Sequence, residues 1–333
     1  VTKEYLEHLI WSQNPHALSQ QPLVDRQLWC GAVQHELVKY RITVAAGLPA
    51  MPADAVHDVA VIMMVKDEAD VLEDNLRWLY FLGIRRFAVS DNLSTDRSRD
   101  ILPDFQHDHP DVELVIVSDP LVRFMQPEKI NGLFRLVLSI WPDLKWVIPV
   151  DADEFMIAQS GLRSLQQVPD HVDALTVPKM VHFRHHLQPY RDDEVLLRMA
   201  CRSPLFCVPP KIILRARMNL QITRGSHQVR TSGETEPRYD GGFTYGLYIR
   251  EFPVRSLEQF IRKVHNGAAA ILAAQRHGDR KVGGDHWLRY FARLTSGGES
   301  GLRDIFLDEW VKTSLPPGWR LDPFAGAPRR DAA

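Results

Sequence analysis

Asp151, Asp153 and Glu154 crowd three carboxylates into the segment Val150-Asp151-Ala152-Asp153-Glu154-Phe155. Trp146-Val147-Ile148 before it and Phe155-Met156-Ile157 after it are apolar, which places the acids at the rim of a buried strand. Read as extended chain, the alternation of side chains points Asp151 and Asp153 the same way. Like charges that close raise each other's pKa unless a counter-ion intervenes. A hard divalent cation, Mg²⁺ or Mn²⁺, meets that need, because it takes one or two carboxylates together with phosphate oxygens of a substrate. The alternative is a solvated acidic turn.

Val65-Lys66-Asp67-Glu68 is a second charged cluster. A nicotinamide-binding fold would carry Gly-x-Gly-x-x-Gly at this point, and it is absent. The charged turn can instead hydrogen-bond a base or ribose, although Asp67 and Glu68 also suit the start of a helix. Ser90-Asp91-Asn92-Leu93-Ser94-Thr95-Asp96 is the third. Asp91 can accept from a base N–H, and Asn92 or Ser94 can serve ribose or phosphate; ordinary turn and capping chemistry uses the same residue types. Lys129 can face a diphosphate. Arg255 and Lys263 fall on a similar helical face. His227 lies in Gly225-Ser226-His227-Gln228-Val229, and His286 in Gly283-Gly284-Asp285-His286-Trp287. With 14 histidines in the chain no single one counts for much, and His182, His185 and His186 read as nonfunctional, with metal binding there as the alternative.

The elements around these clusters alternate regularly. Val59 to Val65 is a continuous apolar run, the mark of a strand buried on both faces. Ala69 to Leu82 carries Leu72, Leu76 and Leu79 on one stripe and is closed by Gly83. Arg86 to Ser90 is a second strand, and Thr95 and Asp96 can cap a short helix running to Leu102. Val112 to Val117 is a third strand. Pro127 suits the first turn of a helix to Ile140, and Lys145 to Val150 is a fourth strand. This β-α-β-α-β-α-β order predicts an α/β, doubly wound, mostly parallel sheet with ligands outside the carboxyl ends of its strands. All three acidic clusters fall at such ends. After Phe155 the pattern turns irregular, with strands at Ala174–Val177 and Lys211–Arg215, a loop from Ser226 to Gly242, and a helix from Ser256 to Ala274. Residues 1–55 read as a helical N-terminal extension, 56–160 as a Rossmann-like half, 161–322 as the irregular C-terminal half completing the same domain, and 323–333 as a disordered tail.

Bulk composition narrows the class. The 333 residues suffice for a large core, and 45% apolar with 25% charged residues is ordinary for a globular protein. A net charge of -2 provides no global field toward nucleic acid or an anionic membrane. Three cysteines, Cys30, Cys201 and Cys207, without Cys-x-x-Cys spacing, argue against a disulfide framework and a thiolate zinc site. The expected setting is the cytoplasm: no apolar run approaches a membrane span, and the first residues lack a signal-peptide layout. Peripheral contact with the inner face of the membrane stays open.

Taken together, the three motifs resemble those of bacterial family 2 glycosyltransferases of the GT-A fold. The likeness is to the subgroup with a Lys-Asn/Asp-Glu signature after the first strand, here Lys66-Asp67-Glu68. Its Asp-Asn-x-Ser-x-Asp turn is Asp91 to Asp96, and its Asp-x-Asp-Glu-Phe is Asp151 to Phe155. The likeness covers residues 57–160, and continues loosely through Gly-x-His-x-Val at His227, Pro253-Val254-Arg255-Ser256, and His286-Trp287. It implies a GT-A-like fold with a nucleotide-sugar half and an acceptor-side half. It implies an inverting transferase that moves a sugar from a nucleotide sugar, a UDP-sugar by preference, to a glycan or lipid-linked acceptor in surface-polysaccharide synthesis. Val65, Lys66, Glu68, Asp91, Asn92, Ser94, Lys129, Asp151, Arg255 and Lys263 then form the donor-binding set. Asp151, Asp153 and His227 are the candidates for Mn²⁺ or Mg²⁺, which neutralises the departing diphosphate. The general base comes from Glu251, Asp240 or Asp285, with Glu251 favoured. The chain departs from the subgroup at Arg250-Glu251-Phe252, where His-Tyr or His-Phe is usual. A nucleotidyltransferase would carry a Gly-rich loop after the first strand, and an aspartyl-phosphate phosphatase would carry its Asp-x-Asp there. A noncatalytic nucleotide- or sugar-binding module on the same scaffold is the remaining rival.

Overall fold

β1 (Val56–Val65) is buried on both faces because two sets of alternating side chains meet two different layers. Val59, Val61, Met63 and Val65 pack with Leu72, Leu76 and Leu79 of α1 (Leu72–Phe81). Ala60 and Ile62 face Ile130, Leu133, Phe134 and Val137 of α3 (Gln126–Ile140). Each of the larger buried side chains contributes roughly 1.5–3 kcal/mol of burial. The computed structural model describes residues 54–186, 195–205, 209–233, 235–278, 284–315, 319–322, 324, 326 and 327. The helical extension read over residues 1–55 therefore lies outside the described residues, except for Asp54 and Ala55, as do Cys30 and Cys207.

α1 ends where Gly83 takes φ +100°; a Cβ there would stand 2.6 Å from the Asp54 carbonyl oxygen. β2 (Ile84–Asp91), α2 (Ser98–Asp108) and β3 (Glu113–Ser118) follow. α2 runs beyond the expected stop at Leu102 and through Pro103. The proline is exposed, while Ile101, Leu102 and Phe105 anchor the helix to the core. The expected cap is only half right. Asp96 Oδ1 accepts from Ser98 N at 2.9 Å, but the Thr95 hydroxyl turns to Asp67.

β4 (Trp146–Pro149) completes a parallel set in which β1 lies between β2 and β4, and β3 flanks β2. The full sheet has the order β12-β6-β9-β4-β1-β2-β3. β9 (Lys211–Arg215) is antiparallel to both β4 and β6 (Ala174–Val177), and β12 (Tyr239–Gly241) lies parallel on the far edge. This is the doubly wound, mostly parallel α/β architecture expected from the strand pattern. The segment read as one loop, Ser226 to Gly242, instead holds β12 and β11 (Val229–Thr231), which pairs with β10 (Leu220–Ile222).

A second sheet starts at the acidic motif. β5 (Glu154–Ala158) pairs antiparallel with β13 (Leu247–Glu251), which lies parallel to β7 (Lys179–His185); β8 (Cys201–Arg202) and β15 (Arg320–Leu321) continue it, and β14 (Val311–Lys312) pairs with β7. The turn between β4 and β5 thus carries the chain from one sheet to the other. α4 (Leu257–Arg276) begins at Ser256, whose side chain accepts from Gln259 N. Its apolar face, Phe260 and Val264, packs on Tyr290 and Leu294 of α5 (Asp285–Ile305), which is interrupted at Gly298. From the segment read as a tail, Phe324 is buried and packs on Trp78, Phe155 and Phe252. Among the described residues, no helix is long and apolar enough to cross a membrane.

Candidate active site

The acidic motif is a turn and not an extended strand. Glu154 N donates to the Asp151 carbonyl at 3.0 Å, and β5 begins only at Glu154. The expectation that Asp151 and Asp153 point the same way by alternation therefore fails, and the two carboxylates engage different cations. The Asn75 amide nitrogen, from α1, reaches the carbonyl oxygens of Asp151 (3.3 Å), Ala152 (2.8 Å) and Glu154 (3.0 Å) and fixes the turn.

Two ion-pair networks meet at this turn, each of three carboxylates on two cations. In the first, Lys211 Nζ lies 2.6 Å from Asp151 Oδ2 and 3.1 Å from Glu154 Oε2. Lys179 Nζ lies 3.1 Å from Glu154 Oε1 and 3.1 Å from Glu251 Oε2. Glu154 and Glu251 are register partners on β5 and β13, so Lys179 separates two like charges that directly oppose each other. In the second, Arg255 binds Asp70 through two nitrogens at 2.7 and 2.8 Å, pairs with Glu68, and lies 3.8 Å from Asp153. Lys263 Nζ lies 2.6 Å from Asp153 Oδ2 and 3.4 Å from Glu68 Oε1. Gln259, which the Ser256 cap holds in the first turn of α4, accepts from Arg255 N at 3.1 Å. The cap thereby places the guanidinium.

Burial opposes charge throughout the cluster, and the partners decide which way each group moves. Burial disfavours the Lys211 ammonium, yet Asp151 and Glu154 outweigh it and hold the lysine above its ordinary value. Burial also opposes ionisation of Asp153, but Lys263 and Arg255 keep its pKa low. For Glu251 burial wins: with Glu154 and Asp153 adding their repulsion, the pKa is pushed up to about 7 despite Lys179. Burial likewise raises Glu68 against the pull of Lys263 and Arg255.

The ends of β1 and β2 are clamped to each other. Ser94 Oγ accepts from Asp67 N at 3.0 Å, Lys66 Nζ donates to the Leu93 carbonyl at 2.9 Å, and Asn92 N donates to the Val65 carbonyl at 2.9 Å. Asp67 adopts φ +56° and accepts from Thr95 and from Asn266 of α4. Asp91 is buried; one oxygen accepts from Ser94 N at 3.3 Å. Its Oδ2 has no hydrogen bond, with the exposed Arg99 Nε 3.3 Å away outside hydrogen-bond geometry.

The remaining expected residues fall in three places. Asn92 and Lys129 meet at Asp119 after β3, at 2.9 and 2.5 Å, so both amide and ammonium tie loops together there. Arg255, 1% exposed, is enclosed by carboxylates, so it holds Glu68, Asp70 and Asp153 in place. Asp240 sits on the edge strand β12 with Tyr245 Oη at 2.6 Å, apart from both networks. The side chain of Asp285 lies outside the described residues. His182 is a core residue: its Nδ1 donates to the Met199 carbonyl at 2.7 Å, its ring stacks on Phe252, and burial pushes its pKa down to about 3.

His227 Nδ1 donates to the Pro210 carbonyl at 2.7 Å, which leaves Nε2 as the open ring nitrogen. Gly225, at φ +70°, is required beside it, since a Cβ would stand 2.4 Å from that Nε2. Among the described residues, no three His, Cys, Asp or Glu side chains are arranged to hold a metal ion. The donors fit a cation in another way. Each network has one carboxylate more than its cations, and the Asp151 side chain is 45% exposed. Mg²⁺ is commonly held by one or two carboxylates with substrate phosphates completing the shell.

Sequence reasoning missed Lys179, Lys211, Asn75 and Asp70. For Lys211 a signal of burial was present, although not of its partners: it opens the apolar run Ile212-Ile213-Leu214, and a charge in a buried strand needs a partner.

No protein-family model and no curated protein matches the chain. Among solved structures, a mannosyltransferase from Pyrobaculum calidifontis in complex with GDP-Man and Mn²⁺ is 20% identical over 46% of this chain and 47% of its own, with a TM-score of 0.30. HddC from Yersinia pseudotuberculosis is 10% identical over 48% of this chain and 77% of its own, at 0.30. A mycobacterial protein is 14% identical over 48% and 53%, at 0.28. The chain spans about half the length of the mannosyltransferase. Likenesses this low leave activity to be argued from the site.

Proposed function

We propose that this chain is a glycosyltransferase that moves a sugar, with inversion, from a nucleotide sugar to an acceptor hydroxyl. The observation that carries the reading is the meeting of two acid-rich networks at the ends of β1 and β4, beside the buried Asp91 with one unsatisfied acceptor at the end of β2. A base N–H or ribose hydroxyl would give that oxygen the hydrogen bond that the exposed Arg99, 3.3 Å away, does not supply. Glu68 and the backbone of Val65 and Lys66 flank the same position. Asp151, with its exposed edge, and Asp153 beside it would hold Mn²⁺ or Mg²⁺ against the diphosphate, and His227 Nε2 is a further donor. The cation supplies neutralisation of the charge that builds on the leaving phosphate.

Glu251 serves as general base. The acceptor oxygen forms its bond to the anomeric carbon as its proton passes to the Glu251 carboxylate, and the bond to the diphosphate breaks with its electron pair leaving on the nucleotide. A base titrating near the working pH suits that task, and Glu251 is held at about 7. Lys179, 3.1 Å from Glu251 Oε2, orients the carboxylate. A UDP-sugar donor, a glycan or lipid-linked acceptor and a role in surface-polysaccharide synthesis complete the proposal on resemblance alone.

One observation favours a noncatalytic nucleotide-sugar module as second reading: Asp151 and Asp153 are each already ion-paired within the chain. A thermal-shift screen of nucleotide sugars with Mn²⁺ and with chelator tests binding, because a ligand specific to the folded state raises its stability. Stabilisation by one nucleotide class, lost on chelation, supports the transferase or the module; release of nucleoside diphosphate selects the transferase. No stabilisation by any nucleotide sugar removes both.

A further inference from the structure

α3 and the β10–β11 hairpin enclose an open groove of about 920 Å³ that borders the acidic site without containing either network. Its walls are tied together. The Asn131 amide nitrogen donates to the Pro127 carbonyl at 2.6 Å and the Ile222 carbonyl at 2.8 Å, while its oxygen accepts from Ile222 N at 2.8 Å. Gly225 N donates to Gln126 Oε1 at 2.5 Å. The groove is thus a fixed feature of the fold, of a size that takes a small-molecule ligand.

Its lining has a definite chemistry. Arg135, Arg224 and Arg230 face a single acid, Glu128. Arg224 lies over the Phe124 ring at 5.7 Å. Arg135 and Arg230 are exposed and form no ion pair among the described residues. Gln221 and Gln228 add amides that both donate and accept. Guanidinium forks match carboxylate or phosphate oxygens, and amides match hydroxyls. His227 lines the groove, and its Nδ1 donates at 2.7 Å to the carbonyl of Pro210, the residue before Lys211, so this end of the groove lies beside the strand whose lysine pairs with Asp151. The chain as a whole carries a net charge of -2, so this local excess of positive charge is not a property of the surface at large.

We propose that this groove binds the acceptor, and that the acceptor is a saccharide carrying oxyanions, carboxylate or phosphate. The proposal rests on the glycosyltransferase reading for the word acceptor, but the binding chemistry stands on the groove alone.

Gly132 offers a clean test. It lines the groove at a position where a Cβ meets nothing within 4 Å, so a side chain can start there unhindered, and Gly132→Phe places a ring at the groove. Binding of trigalacturonate, a phosphorylated hexose and neutral maltotriose would be titrated calorimetrically at constant ionic strength. The proteins are the wild type, Gly132→Phe and Arg135→Glu/Arg230→Glu, and nucleoside diphosphate release without acceptor is followed in parallel. The proposal predicts that one or both anionic saccharides bind the wild type, at least tenfold more tightly than maltotriose. Which of the two binds identifies the oxyanion. Both variants lose that affinity at least tenfold and keep the donor hydrolysis of the wild type. Equal affinity in the variants, equal affinity for maltotriose, or no anionic binding overturns it. Loss of donor hydrolysis in folded Arg135→Glu/Arg230→Glu also overturns it, by making the groove a donor site. Absence of donor hydrolysis in the wild type would instead count against the transferase reading and leave the anionic groove standing.

Discussion

Lys211 is 3% exposed, and its charge is tolerated there only because Asp151 and Glu154 face it. Removing one member of a buried ion pair leaves the other uncompensated and costs about 3–5 kcal/mol. Lys211→Met should therefore lower the unfolding free energy by that order in urea titration, and a loss under 1 kcal/mol would show the pairing to be incidental. Glu251 gives a pH signature. Its folded pKa of about 7 exceeds the ordinary glutamate value of 4.5, so between these values the folded chain holds a proton that the unfolded chain has released. Its contribution to stability is present below 4.5 and is lost as pH rises through 7. Glu251→Gln should gain melting temperature relative to the wild type across that window, and the gap should be flat if the residue ionises normally. Turnover needs the ionised form, so it should rise with pH with a midpoint near 7 and be lost in Glu251→Gln. At this scale the acids were legible in the sequence because three of them in four positions beside apolar strands demand an explanation. The lysines that answer them were not, because Lys179 and Lys211 lie 25 and 60 residues away from the groups they neutralise.

The Ser256 cap and the Gly267 contact show what the elements contribute. Ser256 Oγ and Gln259 fix the first turn of α4 and the backbone of Arg255. Ser256→Ala should cost about 1 kcal/mol, the usual loss for a cap, and should lower activity more than that stability loss explains, because Arg255 carries three carboxylates of the site. Restoration by Ser256→Thr would distinguish the cap from a packing effect. Gly267 lets α5 approach α4: a Cβ there would stand 2.7 Å from the Trp287 ring. Gly267→Val should cost about 1–3 kcal/mol by overpacking, read as a lower melting temperature, and an unchanged one would mean that the helices move apart freely. The β-α alternation up to Val150 was legible because the strands are runs of apolar residues, with β1 and β4 buried on both faces, and the helices carry an apolar stripe. β11 and β12 were not: each is only three residues long, and β12 pairs with the distant β6, so no local periodicity marks them. The acidic turn was misread as strand because its flanks are strands of two different sheets.

At the scale of the molecule, β4 and β5 carry the chain from one sheet to the other, and the site sits where that crossing meets α1 and α4. Such a joint gathers groups from residue 68 to residue 263 at one point, which explains why the networks are composite and why no single segment announced them. The central claim is that this joint transfers a sugar from a nucleotide. Its most direct test is nucleoside diphosphate release from a panel of nucleotide sugars with Mn²⁺, by the wild type and by Asp151→Asn and Asp153→Asn, each variant checked for folding by its far-ultraviolet spectrum. The account predicts metal-dependent release by the wild type from one nucleotide class, and release at background in both folded variants. Wild-type rates in the variants, or no release by the wild type from any nucleotide sugar, would contradict it.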